Sequence, residues 1–174
     1  MTAPIEPDTG SEKLDGPGWG HRSGLLDLRP ADPATAPTDA DRAALIERCA
    51  RYAWGFDERR ADLLEDCFTE DTTWSGQVAG GGRIGPHRGR TAVLEFMTGF
   101  WLRQHEQRRH LLLNHVIAMT DPNEAVVHSY HVLLAAEPTS IAITASGFYR
   151  MRMRVEHDGI WRISHVLSGY DRRF

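Results

Sequence analysis

A chain of 174 residues, with 41% hydrophobic and 25% charged side chains, is one ordinary globular domain. It is long enough for one core and too short for a two-domain cofactor enzyme. A formal net charge of −4 argues against nucleic acid as a partner, and no apolar run reaches the roughly 18 residues of a membrane span.

Two cysteines, Cys49 and Cys67, cannot build a disulfide scaffold. The opening MTAPIEPDTGSEK lacks the basic-then-apolar order of a secretory signal, so a cytoplasmic setting is the default expectation. Lys13 is the single lysine among twenty basic residues, which nearly excludes Schiff-base chemistry through a buried amine. Acid–base chemistry must then run through the nine histidines or through carboxylates.

Residues 1–37 form a Pro-rich extension carrying Pro4, Pro7, Pro17, Pro30, Pro33 and Pro37. Its first part is expected to be disordered or loosely held. Trp19, Leu25, Leu26 and Leu28 are exceptions, and fit either a tail with incidental apolar residues or a segment lying over the domain, at a pocket mouth. The domain proper is expected over residues 38–174.

A helix should begin at Thr38 or Asp39, which can cap it, with Asp41 in the first turn. Leu45, Cys49, Tyr52 and Phe56 then recur at helical spacing. A short second helix fits Arg60 to Phe68, and Asp71 to Ser75 reads as a short strand. Gly76 to Gly89 reads as a Gly-rich loop, and a third helix spans Thr91 to Arg103. The Gly80-Gly81-Gly82 run is no phosphate loop, because it lacks the Lys and Ser/Thr of that motif.

The remainder reads as strands: Arg109 to Met119, Glu124 to Ala135, Ile141 to Glu156 and Ile160 to Ser168. Asp121-Pro122-Asn123 and His157-Asp158-Gly159 supply the hairpin turns. Helices first and long antiparallel strands after make an α+β fold. A curved antiparallel sheet wrapped around N-terminal helices makes a cone, and a cone holds a pocket.

Asp57 ends the apolar face of the first long helix, where it is either a solvated helix-end residue or a carboxylate at the cavity edge. The second position suits a proton shuttle or an orienter of histidine. Strand alternation puts His110, Leu112, Asn114 and Val116 on one face. The hairpin sets His110 opposite Leu133, two places from His131, so the two rings can meet diagonally. Either His is also readable as a satisfied structural residue; convergence with Asn114 and Ser129 on a mostly apolar face favours a site.

Metal binding is not expected. His105, His110 and His115 recur five apart, which fits neither a helix face nor a strand face, and no HExxH is present. No Ser stands in a nucleophile-elbow context. A cofactor is not expected either.

These residues together resemble the nuclear transport factor two-like superfamily, in its SnoaL-like branch near scytalone dehydratase. The resemblance runs over residues 39–170. It rests on Ile46-x5-Tyr52-Ala53-x3-Asp57, on Asp62-x5-Phe68-x2-Asp71, and on the Gly85-to-Gly89 segment. Arg109-His110-x3-Asn114, Tyr130-His131 and the closing Asp158-Gly159-Ile160-Trp161-Arg162-Ile163 complete it. It implies a cofactor-free lyase or isomerase of dehydratase type on a small apolar or polycyclic substrate, polyketide-like or steroid-like. Asp57 would hold the His pair, with His110 the leading acid–base group and His131 the second. Phe56 and Trp74 stand where that family carries carbonyl-gripping tyrosines, so the substrate should differ.

Tyr52, Phe56, Trp74, Phe96, Asn114, Ser129 and Tyr149 are the expected substrate-binding residues. A cyclase, an epoxide hydrolase, a dioxygenase small subunit and a non-catalytic binding cone are the rival readings. Leu111, Leu113, Ile117 and Met119, with Val126, Val132 and Leu134, would form an apolar outer face that pairs two copies as a homodimer.

Overall fold

The structure, a computed structural model, describes residues 16–172. The expected disorder of the first part of the chain, including Pro4, Pro7 and Lys13, falls partly on residues 1–15, outside the described residues.

Thr38 starts the first long helix. Its Oγ1 accepts from the Asp41 backbone N–H at 3.1 Å, satisfying one of the open donors of helix α2 (Asp39–Asp57). The apolar stripe of α2 buries Leu45, Cys49, Tyr52 and Phe56, all under 10% exposed. Arg48 is buried too, and its guanidinium donates to the backbone and the carboxylate of Asp66 at the end of α3 (Ala61–Asp66). A single turn, α1 (Trp19–Arg22), and a short 3-10 turn at Pro33–Thr35 precede α2, and α4 (Arg90–Thr98) follows α3.

One six-stranded sheet carries the rest: β1 (Phe68–Val78), β2 (Arg83–Arg88), β3 (Gln107–Asp121), β4 (Glu124–Glu137), β5 (Ser140–Val155) and β6 (Trp161–Tyr170). Its order is β2-β1-β6-β5-β4-β3. The sheet is curved and unclosed, with α2 against its inner face at β3 and β6. The α+β cone expected from the sequence is therefore the fold.

Three local expectations differ. The Gly-rich segment contains a strand: β2 pairs antiparallel with β1, Trp74 opposite His87, as an edge strand that tolerates Gly85 and Pro86. Phe68 opens β1 rather than ending α3, because it pairs with Ile163. That β1–β6 pair is parallel, the one non-antiparallel pair of the sheet.

The fourth difference is a bulge in β3. His110 pairs with Leu133 and Leu113 with Tyr130, but Val116 then pairs with His128. Asn114 and His115 together oppose Ser129, and Asn114 takes the left-handed conformation, φ 55°, that Asn tolerates. The extra residue inverts the alternation beyond it. Ile117 and Met119 turn into the core side, Val116 turns out at 49% exposure, and Asn114 leaves the face of His110.

Residues 16–37 cross the outer face of the sheet rather than the cavity mouth. Trp19 packs on Phe148 at 5.2 Å between ring centres and donates its indole N–H to Asp171. The carbonyl of Leu25 accepts from Arg150, and Asp27 reaches His128 Nε2 at 2.9 Å. Phe148 sits on bare backbone: a Cβ at Gly169 would lie 2.2 Å from its ring. Gly169→Ala should therefore lower stability by about 1–3 kcal/mol, the usual cost of overpacking, read as a lower denaturation midpoint with an unchanged slope.

Candidate active site

The last turn of α2 carries Asp57, and the chain turns away just after it through Arg59 at φ 54°. The carbonyls freed at this helix end find donors nearby. Phe56 O accepts from the Trp101 indole N–H at 3.0 Å, and Asp57 O accepts from Gln107 Nε2 at 3.0 Å. Both donors flank the entry into β3, so they fix the helix end against that strand.

The Asp57 carboxylate completes the junction. Oδ2 accepts from the backbone N–H of His110 at 2.7 Å, and Oδ1 lies 2.6 Å from His110 Nδ1. The two side chains are 6% and 11% exposed. An ionised carboxylate only accepts, so Nδ1 carries the proton and Nε2 is left as the basic nitrogen. The Phe56 ring meets the imidazole edge-on at 5.1 Å and limits its rotation.

His110 forms part of the wall of two connected spaces. The inner chamber, about 60 Å³, is bounded by aromatic groups that include Tyr52, Phe56, Trp74, Phe96, Tyr149 and Tyr170. The outer vestibule, about 220 Å³, shares Phe56, Phe100, His110 and Tyr170 with it and adds Arg103, Gln104, Arg108 and Thr144. A largely apolar mouth edged by Arg103, Gln104 and Arg108, an imidazole at the waist and an aromatic end suit a small ligand with an apolar body.

Burial pushes the hydroxyls of Tyr52, Tyr149 and Tyr170 up from the ordinary phenol range, so all three stay protonated as donors. The Tyr52 and Tyr149 rings meet edge-on at 5.7 Å between centres, and the Trp74 indole N–H points at Tyr52 Oη from 3.4 Å. Tyr170 escaped sequence reasoning. The available signal was its alternation with Val166 and Ser168 on β6.

The structure places Tyr52, Phe56, Trp74, Phe96 and Tyr149 around the chamber. Asn114 is exposed at the bulge, and Ser129 is buried opposite Tyr149 without bounding either space. His131 also stays apart from both spaces. It is 1% exposed and packed against Tyr149, tilted, at 4.7 Å and against Tyr170, edge-on, at 5.2 Å, although the diagonal register with His110 is as expected.

His131 Nε2 donates to the carbonyl of Gly169 at 3.1 Å, and its buried Nδ1 has no partner. Gly147 leaves the ring its place, since a Cβ there would lie 3.0 Å from Nε2 and 1.9 Å from Gly169 O. Burial, with the nearby His110, lowers the His131 pKa to about 4. The ring is neutral when folded and charged when unfolded between about 4 and 6.5, so the unfolded chain binds more protons there and stability falls with falling pH. A shift of this size is on the order of 3 kcal/mol. His131→Gln should flatten the loss of unfolding free energy between pH 7.5 and 4.5 by a large part of that amount, measured by denaturant titration.

Among the described residues no group of three or more His, Cys, Asp or Glu is placed to hold a metal ion, and no helix is long and apolar enough to cross a membrane. No functionally curated protein matches the chain. Among solved structures, a function-unknown protein from Mycobacterium tuberculosis, solved as an Asp-to-Asn variant, is 28% identical over 77% of this chain and 73% of its own, with a TM-score of 0.65. A Catenulispora acidiphila protein in complex with S-DNPA is 22% identical over 77% and 96%, TM-score 0.67. The beta subunit of a putative aromatic-ring-hydroxylating dioxygenase from Novosphingobium aromaticivorans is 15% identical over 78% and 92%, TM-score 0.67, a likeness of fold alone. Residues 38–166 match the SnoaL-like domain, and the chain belongs to that family.

Proposed function

We propose that this chain is a cofactor-independent lyase or isomerase, dehydratase-like, acting on a small apolar or polycyclic substrate. The observation that carries the reading is the Asp57–His110 pair, 2.6 Å between Oδ1 and Nδ1, on the wall of an aromatic cavity. His110 Nε2 takes a proton from a carbon beside a carbonyl. The negative charge passes to the carbonyl oxygen, where a phenol of the Tyr52–Tyr149 pair donates to it. The imidazolium returns its proton to a leaving hydroxyl, which departs as water, or to another carbon, which shifts the double bond. Asp57 holds the ring in the reactive tautomer, and His131 keeps the chamber wall in place. General acid–base help of this kind is worth roughly 10²–10⁴-fold, with the remainder from positioning in a water-poor chamber.

Proton abstraction can be read before the substrate is known. The wild-type chain should speed deuterium uptake beside the carbonyl of a small bicyclic ketone such as β-tetralone in D2O, followed by NMR. His110→Ala should cut that enhancement by about 100-fold or more, and Asp57→Asn by a smaller factor with the fold retained. Undiminished exchange in His110→Ala would leave a binding cone whose polar lining only orients its ligand.

The same proposal includes a homodimer. On the outer face, Leu111 and Leu113 pair with Val132 and Tyr130, while Leu134 and Ala136 pair with Ile143 and Ile141. Leu111, Leu113, Val116, Tyr130, Ile141 and Ile143 are 41–73% exposed, a contiguous apolar patch of the kind that marks an interface. The bulge replaces the expected Ile117 and Met119 with Val116 in this patch. Light scattering should return twice the 19.6 kDa chain mass, and Ile143→Glu should return the chain mass itself. A monomeric wild type at micromolar concentration overturns the assembly.

A further inference from the structure

The rim of the vestibule carries more positive charge than its own carboxylates balance. Arg103 and Arg108 line the vestibule with no carboxylate among its lining residues, and the adjoining polar hollow at the end of α2 adds Arg59 with Asp57, Glu58 and Glu106, the last two paired to Arg109 and Arg108. Glu106 is taken by Arg108 and Glu58 by Arg109, each at 2.5 Å, and Asp57 is taken by His110. Arg59 is held by the carbonyl of Gln104. Arg103 has no carboxylate within ion-pair distance among the described residues, and its guanidinium lies over the Phe100 ring, 5.8 Å from its centre. The chain as a whole has a formal charge of −4, so this local surplus runs against the average.

The position of Arg103 is as informative as its charge. Phe100 bounds both the chamber and the vestibule, so the guanidinium above it stands at the opening of the path to His110. Stacking on an aromatic face orients the planar group without using its N–H donors, which leaves a fork that matches a carboxylate. A surplus of positive charge at a cleft also raises the local concentration of anionic ligands.

We infer that the substrate is an organic carboxylate, with an aromatic or alicyclic body in the vestibule, its inner edge directed at the chamber, and its carboxylate on Arg103 at the rim. A molecule bound at both ends lays its middle carbons across His110, which bounds both spaces. Arg103 is thus a specificity-determining residue. The inference rests on the cavity's being the substrate site, as proposed above, and adds the charge class of the substrate.

Calorimetric titration of the full chain with 2-naphthoate and with its neutral isostere 2-naphthamide tests this at low salt and pH 7.5. The expected result is a preference for the carboxylate of about 10-fold or more, shrinking as salt is raised. Arg103→Gln should bring the two affinities within about 2-fold, by loss on the naphthoate side alone. Arg152→Gln, on the opposite face of the sheet, should leave the preference in place. Equal affinities in the wild type, or a preference that survives Arg103→Gln, overturn the carboxylate inference and leave the pocket reading standing. If neither compound binds at millimolar concentration, both readings fall together.

Discussion

The contact between the Asp57 carboxylate and His110 is where the helical half of this molecule meets the sheet. One oxygen takes the backbone N–H at the start of β3, so the strand is positioned by the same group that orients the imidazole. The second oxygen alone would fix only a ring. With both in use, a shift of α2 along its axis would break the strand contact and turn the base at once. The neighbouring bonds from Trp101 and Gln107 to the last carbonyls of α2 hold the joint from the side. A buried carboxylate is costly unless its lone pairs are met by donors, and here two N–H groups meet it.

The two faces of the sheet are managed differently. The inner face at its open end is aromatic and incompletely filled, which leaves the chamber. The outer face is covered at one end by residues 16–37, with Trp19 on Phe148 and Asp27 on His128, and left apolar and open at the other. Phe148 points outward from β5 and is nonetheless 5% exposed, because Trp19 and Gly20 close over it. Wrapping one end of this face by the chain's own residues leaves the β3–β5 end apolar and exposed, the surface that the proposed homodimer would use.

Much of this was legible in the sequence, for reasons that can be named. The α2 stripe Leu45-Cys49-Tyr52-Phe56 has helical spacing and a capping Thr, so its inner face and the location of Asp57 followed. The register centred on Asp121-Pro122-Asn123 is the one found from Gln107 to Leu113, with His110 opposite Leu133, although two register shifts lie between that stretch and the turn. Between Leu113 and the turn the register is offset, first by the bulge at Asn114, in a left-handed conformation, and again between Met119 and Asp121. Nothing in Asn114 alone distinguishes a bulge from a regular strand position, so the faces of Asn114, Val116, Ile117 and Met119 were reversed. β2 was hidden by Gly85 and Pro86, which usually punctuate loops. The separation of His131 from the cavity was not readable either: it follows from Tyr149 and Tyr170 standing between, and Tyr170 lies on a different strand.

The chemistry that remains follows from what replaced what. A cavity that grips a carbonyl needs a hydroxyl donor near its base, and Phe56 supplies none. Trp74 occupies the second place where a tyrosine would serve, yet its indole N–H is directed at Tyr52 Oη. On the proposed reading, the donor function moves along the helix, from the residue beside Asp57 to the one a turn earlier, at the inner end of the chamber. Moving the donor inward while the base stays at the waist lengthens the distance a substrate must span between them. On that same reading, the apolar stretch between the two, bounded by Phe56, Phe96 and Phe100, favours a flat body whose polar groups are confined to its ends.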